Sequence, residues 1–164
     1  MDINLYALAQ ELGMLLEAKG LKLAVAESCT GGGLCDAITD VSGCSRWFDC
    51  GFVTYSNESK VKLLAVNPKA IQKHGPVSEI VAREMALGAL KNSESDIAIS
   101  ITGIAGPEGD ASGTPVGTVW FGLATRDGEY LEYRTFFEGG RNHVRLSANA
   151  FALGWLIQTI NQQI

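Results

Sequence analysis

Leu21-Lys22-Leu23-Ala24-Val25-Ala26-Glu27-Ser28-Cys29-Thr30-Gly31-Gly32-Gly33 decides the fold of this chain. Leu21, Leu23 and Val25 alternate along a short apolar run that predicts a strand. The polar, glycine-rich junction ends the run, and the Thr30 hydroxyl is positioned to cap a helix running through Leu34, Ala37 and Ile38. A strand, a sharp loop and a helix in this order suit an α/β layer better than a helical bundle. The junction also brings a hydroxyl, a thiol and several backbone amides to the mouth of a helix, an arrangement suited to an anion or a nucleophile.

Before this stretch, Leu5, Leu8, Leu12, Leu15 and Leu16 recur at helical spacing, and Gly20 is the expected stop. After it, residues 50–55 favour extension, and Ser56 is expected to cap a short helix containing Lys60, Leu63 and Leu64. Pro68 and Gly75-Pro76 read as breaks. Ser78-Glu79 opens a helix with Val81, Met85 and Leu90, and Ile97, Ile99 and Ile101 predict a strand. A loop rich in glycine and proline follows over 103–115. Residues 117–124 and 130–137 alternate as a hairpin joined through Arg126-Asp127-Gly128-Glu129, and an antiparallel pair beside the earlier strands implies a mixed sheet. Asn142 is expected to cap a last helix whose Val144, Ala148, Phe151, Ala152, Trp155 and Leu156 share one apolar face. The fold expected is a three-layer α/β/α sandwich with a mixed, mostly parallel sheet, one domain over 1–164.

The chain has 164 residues, of which 46% are hydrophobic, enough for one substantial core. Its 13 basic and 18 acidic residues leave a net charge of -5, which offers no general attraction to a nucleic-acid backbone. No apolar stretch is long enough to span a bilayer as a helix. The four cysteines form no close CxxC pair, and the first residues lack the pattern of an export signal. A protein of the cytoplasm with reduced thiols, no membrane partner and no nucleic-acid partner is therefore expected.

Ser28 stands where a strand ends, so its hydroxyl can face a cleft while nearby N–H groups receive developing negative charge. A neutral serine must lose its proton to attack a carbonyl, and Tyr55 and Lys60 are the candidates to take it. A desolvated lysine holds its proton less tightly, and a tyrosine can relay one. As alternatives, Ser28 is a turn hydroxyl and Lys60 an ordinary surface amine. Gly31, Gly32 and Gly33 could admit a phosphate, although neither a phosphate-loop lysine nor a dinucleotide fingerprint accompanies them. Arg141 and Arg145 are four residues apart and can share a helix face toward an anion, or else remain solvated. Neither histidine belongs to a recognisable motif, and the separated carboxylates form no ligand array, so no metal and no cofactor is assigned.

The chain resembles the CinA carboxy-terminal domain family, especially its stand-alone nicotinamide-nucleotide amidohydrolases. Ala26-Glu27-Ser28-Cys29-Thr30-Gly31-Gly32, Tyr55-Ser56-Asn57 with Lys60, Gly75-Pro76-Val77-Ser78-Glu79, Thr102-Gly103-Ile104-Ala105-Gly106-Pro107 and Pro115-Val116-Gly117-Thr118-Val119 carry the likeness, in the same order and over almost the whole chain. The resemblance implies conversion of nicotinamide mononucleotide and water to nicotinic acid mononucleotide and ammonia, within pyridine-nucleotide salvage. It implies Ser28 as nucleophile, assisted by Tyr55 and Lys60. Thr30 and Gly31, or the Gly103 to Gly106 loop, would stabilise the oxyanion. Gly32, Ser45, Arg141 and Arg145 would help to hold the substrate, with Arg145 toward its phosphate, and the protein would act as a homo-oligomer.

Three positions depart from the family pattern. Asp110 stands where a loop glycine is common, Thr114 where a basic residue is usual, and Gly140 where an acid precedes Arg141. The competing expectation is accordingly a nucleotide-binding or interaction module that has lost hydrolysis.

Overall fold

The strand predicted from the opening stretch is β1 (Leu23–Glu27), buried along its whole length and lying between two parallel neighbours. In the computed structural model, which describes residues 2–163, it follows α1 (Leu5–Lys19). Next come α2 (Gly33–Thr39), a 3-10 turn (Cys44–Arg46), β2 (Phe48–Val53), α3 (Asn57–Leu64), α4 (Pro68–His74) and α5 (Glu79–Lys91). The chain finishes with β3 (Ile97–Gly103), β4 (Thr118–Thr125), β5 (Tyr130–Phe136) and α6 (Arg141–Gln163). The sheet order is β2-β1-β3-β4-β5. β1, β2, β3 and β5 run one way and β4 runs against them, so the sheet is mixed.

Strand alternation assigns the two faces. Leu23, Val25, Ile99, Ile101, Phe121 and Leu123 point into a core shared with α1, α2 and α6. Ala24, Ala26, Ala98 and Ala124 point the other way, toward Leu64 of α3 and Val81, Met85 and Ala89 of α5. Small residues on this second face let α5 lie close to the sheet. A Cβ at Gly122 would run into the Ala82 carbonyl, and Ser100 Oγ donates to that same carbonyl at 2.5 Å. Three layers result, with helices on both faces of the sheet.

Local signals explain most element ends. Gly20 adopts φ +66° and closes α1, while Asn4 caps its start by accepting from the Ala7 N–H at 3.0 Å. Ser56 Oγ accepts from the Ser59 N–H at 3.1 Å and caps α3. Several expectations need correction. β2 begins at Phe48 and ends at Val53, two residues ahead of the predicted strand. α4 was hidden by its own signals, because Pro68 at its first turn and the Asn67 cap read as a break when taken alone. α6 starts at Arg141 and the Gly140 carbonyl accepts from the Val144 N–H, so Asn142 lies inside the first turn and is not the cap. Nor does Thr30 cap α2: its hydroxyl is buried without a partner, and the cap residue is Gly32.

Candidate active site

The parallel strands β2, β1 and β3 deliver Thr54, Ser28 and Thr102–Gly103 to one end of the sheet. This is the end at which open α/β sheets place their ligands. A cleft of about 230 Å³ opens there, and its lining includes Ser28, Cys29, Tyr55, Lys60, Thr102 and Arg141. The Ser28 backbone is fixed by donation of its N–H to the Ile101 carbonyl at 3.0 Å, which extends the β1–β3 pairing by one residue.

Lys60 comes to this hydroxyl from α3, one turn past the Ser56 cap, and is only 1% exposed. Its Nζ lies 2.9 Å from Ser28 Oγ, 2.7 Å from the Thr54 carbonyl and 3.2 Å from the Tyr55 carbonyl. An ammonium has three protons for these three acceptors. After losing one proton, the amine keeps both carbonyl bonds and turns its lone pair to Ser28, whose O–H then becomes the donor. Burial holds the Lys60 pKa down to about 8, opposed in part by the Cys29 thiol. The amine is thus neutral in a sizeable fraction of molecules near neutral pH.

Tyr55 is held differently from Lys60. Its ring is 60% exposed, and its hydroxyl accepts from Arg141 Nη2 at 3.2 Å while Arg141 Nη1 donates to the Gly106 carbonyl at 2.7 Å. Arg141 therefore ties the two sides of the cleft mouth together. Tyr55 meets Lys60 through its backbone carbonyl, and its hydroxyl is committed to the guanidinium.

The glycine-rich junction is closed from within. Glu27, fully buried, accepts at Oε1 from the N–H groups of Gly32 (3.2 Å) and Leu34 (3.0 Å) and at Oε2 from that of Cys35 (3.0 Å). The Gly31 N–H donates to the Ser28 carbonyl and the Gly33 N–H to the Thr30 carbonyl. The protein's own carboxylate thus occupies the start of α2, and Gly31 and Gly32 present no free amide to a substrate phosphate. Sequence reasoning missed Glu27, although its signal was visible as an acid placed just ahead of the turn it satisfies. Positive φ at Gly31 (+58°) and Gly32 (+97°) is what allows the turn to fold back over that carboxylate.

The remaining candidates divide by position. Gly103 and Gly106 line the cleft beside Ala105. Arg145 lies against Gly31 and donates to the Thr30 carbonyl at 3.2 Å, outside the cleft lining. Ser45 lies in the 3-10 turn, whose neighbour Trp47 accepts from the N–H of Leu23 at the start of β1. It therefore sits a strand length from Ser28, and the expectation that it shapes the pocket is corrected. Asp110 is on the cleft wall, whereas Thr114 faces a separate groove with Trp120 and Arg134. Burial, with Glu27 adding to it, pushes the Cys29 thiol up to about 12, which keeps it protonated and unsuited to attack. Among the described residues no cluster of three or more His, Cys, Asp and Glu side chains is placed to hold a metal ion, and no helix is long and apolar enough to cross a membrane.

Comparison with known proteins gives consistent matches over nearly the full length. The profile of the CinA C-terminal domain matches residues 5–160. The chain is 49% identical over 162 residues to nicotinamide-nucleotide amidohydrolase PncC of Escherichia coli (strain K12), covering 99% of this chain and 96% of that protein. It is 50% identical over 150 residues to a putative competence-damage inducible protein of Caldicellulosiruptor bescii, covering 91% of this chain and 36% of that longer protein. Among solved structures, the competence damage-inducible protein A (ComA) of Klebsiella pneumoniae subsp. pneumoniae MGH 78578 superposes with a TM-score of 0.96. That structure is 38% identical, with 98% of this chain and 99% of that chain covered.

Proposed function

The chain belongs to the CinA C-terminal domain family, and from that premise we propose that it is a nicotinamide-nucleotide amidohydrolase, releasing ammonia from nicotinamide mononucleotide to leave nicotinic acid mononucleotide. The observation that carries the chemistry is the 2.9 Å approach of Lys60 Nζ to Ser28 Oγ in a buried setting. Near-full-length identity to amidohydrolases of this name supports the substrate class.

Ser28 Oγ attacks the carboxamide carbon as Lys60 takes its proton. The Ala105 and Gly106 N–H groups, which make no hydrogen bond among the described residues, are the donors we assign to the oxyanion; the Gly31 N–H is already bound to Ser28. Collapse of the tetrahedral species breaks the C–N bond, and Lys60 returns its proton to the departing amine, which leaves as ammonia. Water then adds to the Ser28 ester, with Lys60 again the base, and the acid product leaves. The cleft is smaller than the roughly 300–1,000 Å³ of sites that enclose a drug-sized ligand. It holds the amide-bearing ring, while the sugar and phosphate extend to the mouth, where Arg141 is the cationic side chain. Arg145 would serve the phosphate only if that group reached past the Thr30 carbonyl. A cytoplasmic location, a place in pyridine-nucleotide salvage and self-association complete the proposal.

Purified protein incubated with nicotinamide mononucleotide should form ammonia and nicotinic acid mononucleotide in equal amounts, and a folded Ser28→Ala variant should lose the activity. Unchanged turnover in that variant would remove Ser28 from the reaction. Tight nucleotide binding with no product from the wild type would identify a binding module in place of the enzyme.

A further inference from the structure

We propose that β5 is the contact strand of a symmetric dimer, in which it pairs antiparallel with β5 of a second copy and sets Tyr133 opposite Tyr133. The proposal gives a specific surface to the self-association named above and rests on that reading.

β5 closes the sheet and pairs only with β4 among the described residues, so its outer row of N–H and C=O groups is available to another strand. The strand sequence Tyr130-Leu131-Glu132-Tyr133-Arg134-Thr135-Phe136 contains no proline or lysine to deter pairing. Tyr130, Tyr133 and Phe136 are 47%, 48% and 54% exposed, an unusual load of large rings for a solvated edge. Seven residues at about 3.4 Å each give a contact of about 24 Å. Beside the edge, Leu131 and Tyr133 continue into an apolar groove with Phe151 and Trp155 of α6, which extends the surface.

Symmetry then selects the register. A two-fold axis normal to the sheet keeps each face on its own side, so a residue can oppose only residues of its own face. Tyr130, Glu132, Arg134 and Phe136 share the α5 face, where the Arg83 guanidinium covers the Tyr130 ring and also pairs with Glu132, while Arg134 stands over Trp120. With Tyr133 on the axis, Glu132 meets Arg134 of the other copy and Tyr130 meets its Phe136. Both pairs occur twice, with opposite charges and aromatic rings matched across the strands. Moving the axis to Glu132 sets two carboxylates face to face, and moving it to Arg134 sets two guanidinium groups together. The register centred on Tyr133 avoids both.

Sedimentation of the wild-type protein at tens of micromolar should give twice the 17.5 kDa chain mass. Arg134→Glu, a change on an exposed side chain, places like charges opposite each other and should weaken the dimer tenfold or more. Tyr133→Cys should form a disulfide-linked dimer on mild oxidation, because paired Cα atoms about 4.5–5.5 Å apart suit that bond. Arg134→Cys faces Glu132 and should link much less, with the wild type as control for the native cysteines. A monomeric wild type would overturn both self-association and this interface. A dimer indifferent to Arg134→Glu, or linked more readily through Arg134→Cys than through Tyr133→Cys, would overturn the interface alone.

Discussion

The Glu27 carboxylate and the Leu34 amide, 3.0 Å apart, join the end of β1 to the first turn of α2 inside the protein. With the further bonds from Gly32 and Cys35, this contact fixes the path of residues 28–32 and so the direction in which Ser28 points. An acid beside the nucleophile is therefore a clamp on the backbone.

Glu27→Gln should destabilise the protein by about 2–4 kcal/mol. A neutral amide gives up the charge-assisted bonds, keeps a single acceptor oxygen and turns an NH2 toward buried donors. Urea unfolding of both proteins measures the difference, and a loss below about 1 kcal/mol would show that the clamp contributes little.

The base must be neutral to accept the Ser28 proton, so the active fraction grows as pH rises. The pH profile of kcat/KM should climb through about 8 and level off above it. Lys60→Arg, which keeps its proton throughout, should lower kcat by about 10²–10⁴ at every pH. A flat or falling profile between pH 7 and 9 would exclude Lys60 as the base.

Lys60 should also leave a mark on stability. Its folded pKa lies below the 10.5 of the free side chain, so from about pH 8 upward the unfolded chain carries a proton that the native protein lacks. Unfolding free energy from this group therefore rises with pH. The Cys29 thiol, held near 12 against an ordinary 9.0, acts in the opposite sense above pH 9. Urea midpoints at pH 8 and 9 should increase more in the wild type than in Lys60→Met, and equal increments would contradict the buried-amine account.

Tyr55→Phe removes the bond to Arg141 and leaves the backbone carbonyl that positions Lys60. The expected change in kcat is under about tenfold, below the usual contribution of a general acid or base. Arg141→Ala should raise KM more than it lowers kcat, since the guanidinium closes the mouth and stands apart from Ser28. A loss of 10³ in kcat for Tyr55→Phe would restore the phenol to the proton route.

Gly122→Ala forces a methyl group against the Ala82 carbonyl where α5 crosses the sheet. Destabilisation of about 1–3 kcal/mol is expected from overpacking, measurable as a lower urea midpoint with activity retained in the folded fraction.

The sequence alone determined the layered α/β architecture, the strands β1 and β3, the β4–β5 hairpin and the nucleophile and base candidates. Alternating apolar residues, glycine stops and a serine cap act within a few positions of one another, so those signals survive without a third dimension. Only the tertiary structure decided what the polar groups do. It showed Glu27 filling the helix start that the glycines had suggested for phosphate, Tyr55 turned to Arg141, Ser45 at the far end of the sheet, and Lys60 desolvated beside Ser28. Hydrogen-bond partners and desolvation depend on residues distant in the chain, here 32 positions apart for Lys60 and Ser28. Local pattern carries no measure of that distance, and folding supplies it.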